Sequence, residues 1–70
     1  MNELYLNKLI YNKSSILQAQ NAYRNICTIF INENADYWIC EFQNCKYEEV
    51  ITIKEFENFL IDILNTRRDG

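Results

Sequence analysis

Thiols and carboxylates are the side chains in this 70-residue chain best suited to ligating a metal or doing acid–base work, because His is absent. The thiols are Cys27, Cys40 and Cys45. Thiolate is a soft ligand and a nucleophile, but a structural zinc site wants four Cys or His ligands, usually in close pairs. Here there is no C-x-x-C pair and no fourth soft ligand, so no metal is expected. Cys27 and Cys40 fall where small hydrophobes belong, and free Cys is among the most buried residue types. Cys45 lies in a polar stretch and is the thiol best placed to react. An odd thiol count also argues against a disulfide framework.

The densest carboxylates are Glu48-Glu49 and Glu55 with Glu57. Neither group has a neighbouring nucleophile, and both read as solvated faces. Gly70 is the only glycine, so no Gly-rich loop can cradle a phosphate. The chain is expected not to be an enzyme and to carry no cofactor.

The elements that position these residues follow from pattern. In 36–43, Asp36-Tyr37-Trp38-Ile39-Cys40-Glu41-Phe42-Gln43, a strand puts Trp38, Cys40 and Phe42 on one face and Tyr37, Ile39 and Glu41 on the other. The first set is wholly apolar and is assigned to the core. Tyr37 and Ile39 become candidates for a contact surface, since a strand apolar on both faces must be covered twice or leave one side for a partner. Upstream, Thr28 to Ile31 are β-branched or aromatic and predict a strand. Asn32-Glu33-Asn34-Ala35-Asp36 supplies turn-forming side chains that join the two as a hairpin.

Residues 3–11 predict a first strand, bent or folded as a tight hairpin by Asn7-Lys8. Asn12 suits a helix N-cap, with Tyr11 and Ile16 as a hydrophobic staple. The helix begins at Lys13 and carries Ile16, Ala19, Tyr23, Ile26 and Cys27 at helical spacing. Residues 43–49 read as a loop, and Thr52 with Glu55 as a capping box opening a second helix. Phe56, Phe59, Leu60, Ile63 and Leu64 form the apolar stripe of that helix, with Val50-Ile51 assigned to an earlier helix start or a short strand. The fold expected is one α+β domain over 1–70, ordered β-α-β-β-α: a small antiparallel sheet of about three strands with two helices packed on one face.

Composition bounds the partners. A net charge of −3 and a pI near 4.7 argue against nucleic acid, which needs clustered Lys and Arg. No run approaches the ~18 apolar residues of a membrane span. Residues 1–12 show no secretory pattern, so a cytoplasmic location is expected. A domain of about 60 residues buries only ~60% of the surface its unfolded chain exposes, so a partner or homodimer contact would add stability.

Three stretches together resemble a known family. They are Ile10-Tyr11 with Ser15-Ile16 and Ala22-Tyr23-Arg24; Asp36-Tyr37-Trp38-Ile39-Cys40-Glu41-Phe42; and Glu55-Phe56-Glu57-Asn58-Phe59-Leu60-Ile61-Asp62 followed by Arg67-Arg68. In this order the chain resembles the small D-type protein of the His-Xaa-Ser system, over most of its length. The resemblance implies a non-catalytic accessory protein encoded beside radical SAM enzymes that modify a ribosomally made peptide. It would bind the precursor peptide, the maturase, or both. An extended segment could add to an open sheet edge, Tyr37 and Ile39 would give a contact face, and Arg67 and Arg68 would steer an acidic partner. Two other readings stand beside it. One is a homodimeric structural or regulatory protein of toxin–antitoxin or phage type, joined through Tyr37, Ile39 and the second helix. The other is a thiol-based metal or cluster carrier using Cys40 and Cys45.

Overall fold

The computed structural model describes residues 2–67, with the side chain of Arg67 left out. The elements run β1 (Asn2–Asn7), α1 (Lys13–Ala22), β2 (Thr28–Glu33), β3 (Tyr37–Gln43) and α2 (Glu49–Arg67). The sheet is antiparallel in the order β1-β3-β2, so the expected α+β architecture is found and β3 is the central strand.

β1 ends earlier than the sequence suggests. The Asn7 carbonyl accepts from Ile10 and Tyr11 N–H, both at 3.0 Å, and its side-chain oxygen accepts from Leu9 N–H at 2.8 Å. Residues 8–10 are therefore a turn, and no second strand follows them. α1 starts as expected: Asn12 has an extended backbone and its side chain accepts from Ser15 N–H at 2.8 Å. Its end does not reach Cys27. After Ala22 the chain continues in tight turns, with Tyr23 carbonyl accepting from Ile26 and Cys27 N–H at 2.8 and 3.0 Å. Asn21, Asn25 and Ile26 are poor helix formers, and Thr28 already belongs to a strand.

The β2–β3 hairpin closes where Asn34 N–H donates to Tyr37 carbonyl at 3.0 Å, and Asn34 Oδ1 accepts from Asp36 and Tyr37 N–H at 2.9 and 2.8 Å. That side-chain oxygen substitutes for backbone partners in the turn. Beyond β3, Asn44 takes a left-handed backbone, φ 55°, a conformation Asn tolerates better than most residues. Lys46 N–H then donates to Ile26 carbonyl at 2.7 Å.

The capping box at Thr52 and Glu55 is not the start of α2. Glu48 caps it instead, its carboxylate accepting from Ile51 N–H at 3.0 Å. Thr52 sits a turn inside the helix, buried, with its hydroxyl donating to Glu48 carbonyl at 2.9 Å.

Both helices lie on one side of the sheet. Ile16 and Ala19 from α1 and Phe56, Leu60 and Ile63 from α2 meet Leu6, Ile29, Cys40 and Phe42 from the strands. Edge-to-face rings organise this layer: Phe42–Phe56 at 5.2 Å, Tyr23–Phe56 at 5.4 Å and Tyr23–Phe59 at 5.8 Å between centroids. Such pairs add about 0.5–1.5 kcal/mol each beyond burial. The molecule is only 17 Å through its shortest axis. That accommodates a sheet and one helical layer ~10 Å above it, and no third layer.

Candidate functional site

Register decides what the uncovered face holds. Leu4 and Leu6 pair with Cys40 and Trp38, and Ile29 and Ile31 pair with Phe42 and Cys40, all on the covered face. The alternate positions then form rows across the open face. One row is Glu3–Glu41–Phe30, the next Tyr5–Ile39–Asn32, and the third Asn7–Tyr37.

This face is aromatic and accessible: Tyr5 is 52% exposed, Phe30 47% and Tyr37 38%. Ile39 and Glu41 are half-buried by their neighbours. Tyr5 and Tyr37 meet edge to face at 5.9 Å between centroids. At the Tyr37 end the apolar surface runs into a shallow hollow lined by Asn7, Lys8, Leu9, Ala35, Asp36 and Tyr37. Leu9, at its rim, is almost fully exposed. At the other end, Glu3 accepts from the Tyr5 hydroxyl at 3.1 Å, and Glu41 accepts from Gln43 Nε2 at 3.1 Å. The Glu3 carboxylate holds the Tyr5 phenol above its ordinary pKa, first through that hydrogen bond and then through its charge.

The two sites named from sequence therefore divide. Tyr37 and Ile39 are on the open face, as parity required. Arg67 closes α2 with its side chain outside the described residues, and Arg68 lies outside them altogether. Tyr5 and Phe30 are the residues that sequence reasoning missed. Each alternates with core residues, a visible signal, but only the strand order shows that they join Tyr37 and Ile39.

Trp38 lies on the covered face, though half-buried rather than enclosed. Its indole N–H donates to Tyr11 carbonyl at 2.9 Å, and Lys8 Nζ stands 4.6 Å from the ring centroid while pairing with Glu33. Trp38 sits near the sheet's end, where it lines an open groove together with Lys13 and Leu17 of α1.

Both sheet margins are edge strands. On the β2 side, Gln20 Nε2 donates to Ile29 carbonyl at 2.6 Å, which occupies part of that edge. A groove of about 450 Å³ runs beside it between Leu17 of α1 and Ile31 of β2.

The thiols are arranged for packing. Cys40 is fully enclosed, and burial pushes its pKa up to about 11. Cys27 is also pushed up to about 11, by burial first and then by the neighbouring Cys45 thiol. Both are protonated at neutral pH and so poor nucleophiles. The structure pairs Cys45 with Cys27 rather than with Cys40, and all three are free. Among the described residues no group of three or more His, Cys, Asp or Glu gathers as metal ligands would, and no helix is long and apolar enough to cross a membrane.

No family model, no curated protein and no solved structure matches this chain.

Proposed function

We propose that this protein is a non-enzymatic, cytoplasmic accessory protein that binds a polypeptide partner on the open face of its sheet. The observation that carries the reading is the row pattern: Tyr5, Phe30, Tyr37 and Ile39 share one face that no element among the described residues covers. Scattered apolar residues on a surface need no explanation, whereas a contiguous aromatic face on a small domain marks an interaction site. Tyr is enriched in such interfaces because it offers a large, rigid apolar area with a polar tip.

The resemblance to the D-type protein of the His-Xaa-Ser system supplies the class of partner, a radical SAM maturase or the precursor peptide it modifies. Three free thiols, two of them buried, fit a reducing compartment.

The test is calorimetric titration of the protein against the maturase and the precursor peptide encoded beside its gene. Micromolar or tighter binding is expected, lost in Tyr37→Ala and in Ile39→Asp at every salt concentration. No binding to either, with a stable dimer through the same face in ultracentrifugation, would replace this reading with self-association.

A further inference from the structure

The open face is not uniformly apolar. Glu3 and Glu41 are direct cross-strand partners on it. Lys8 N–H donates to Asp36 carbonyl at 3.0 Å in the continuation of that register, so even-numbered β1 residues occupy the hydrogen-bonded pairs and Glu3–Glu41 is a non-hydrogen-bonded pair. Side chains approach most closely in such pairs. Like charges directly opposite are unfavourable there, and nothing in the sheet neutralises them: β1, β2 and β3 contain no Lys or Arg. The partners of the two carboxylates are the neutral Tyr5 hydroxyl and Gln43 amide.

We infer that the partner segment seated on this face carries a Lys or Arg side chain that lies between Glu3 and Glu41, flanked by apolar residues that rest on Tyr5, Ile39 and Phe30. A cation there gains charge-assisted contacts with two carboxylates that are cross-strand partners, and the apolar neighbours Tyr5 and Phe30 give its stem surface to lie on. A second copy of this chain is the poorer occupant, because its own strands bring no cation to the carboxylates. The inference rests on the reading of the open face as a partner surface and adds the chemistry of what that partner presents.

The test uses three synthetic probes, acetyl-Leu-Arg-Leu-amide, its isosteric citrulline counterpart and acetyl-Leu-Glu-Leu-amide, titrated into the whole isotope-labelled protein and followed by amide chemical shifts. The Arg peptide is expected to shift the signals of residues 3, 5, 39 and 41, with an affinity about fivefold above the citrulline peptide at low salt. The Glu peptide should bind least. In a Glu3→Gln, Glu41→Gln double variant, whose spectrum reports that it is folded, the Arg and citrulline peptides should bind alike. Equal binding of these two peptides to the wild-type face would overturn this inference and leave the partner surface standing. Shifts confined to the helical side, with the strand signals unmoved, would overturn both.

Discussion

The two faces of the same three strands differ in what completes them. On the covered face, Cys40 and Phe42 are enclosed by residues the chain itself supplies, Ile16, Phe56 and Leu60 among them. On the other, Tyr5, Phe30 and Tyr37 are exposed to solvent. A strand apolar on both sides is ordinary in a sheet buried twice; here the described residues cover one side, and the proposed partner would cover the other. On the proposed function, stability and partner recognition are separable by the parity of a residue in β3.

The largest expected effect falls on the covered face. Phe56→Ala or Phe42→Ala should cost about 3–5 kcal/mol in denaturant unfolding, because each removes a buried ring from the edge-to-face stack. Trp38→Ala should cost less, about 1–3 kcal/mol, since the ring is half-buried and gives up one hydrogen bond to Tyr11 carbonyl. If Trp38→Ala proved as costly as Phe42→Ala, the end of the sheet would be closed more tightly than the structure shows.

Tyr37→Ala should invert the ranking. Its cost to stability should stay below about 1 kcal/mol, the range of an exposed cross-strand contact, while partner affinity falls at least about tenfold. A large loss of stability together with unchanged affinity would assign Tyr37 to folding.

Alkaline titration separates the faces another way. For Cys27 and Cys40 the folded-state pKa, about 11, lies above the ordinary value of 9.0. Each buried thiol therefore contributes stability that is fully present below pH 9 and lost as pH rises toward 11, because the unfolded chain ionises first. Unfolding free energy should fall over that window, and Cys40→Ala should remove its part of the slope. A flat profile would mean that the thiols reach water in the folded state. The smallest effect is that of Glu3→Gln, expected to raise stability by about 0.2–1 kcal/mol by relieving the like-charge pair with Glu41.

Local chemistry was legible in the sequence, and non-local pairing was not. The Asn12 cap and the two faces of β3 each depend on neighbouring residues and are found where the pattern put them; the hairpin turn is shorter than expected, 34–36 rather than 32–36, because Asn32 and Glu33 stay paired in β2. The start of α2 misled because Thr52 and Glu55 have the composition of a capping box; Glu48, a less common cap, takes that role, and Thr52 is buried a turn later. Cys27 kept its place in the core but lies beyond the helix, which ends after Ala22. The open site is the clearest case. Tyr37 and Ile39 follow from parity, whereas Tyr5, Phe30 and the opposition of Glu3 to Glu41 depend on β1 and β2 flanking β3, which no local pattern encodes.

The central claim is that the uncovered sheet face is where a partner binds. It is tested most directly by comparing amide signals of the protein free and bound to the proposed partner, a radical SAM maturase or its precursor peptide. The account predicts that residues 3, 5, 30, 37, 39 and 41 change and become protected while the outer surfaces of α1 and α2 do not. A footprint on the helices, with the strands of the open face unaffected, would contradict it.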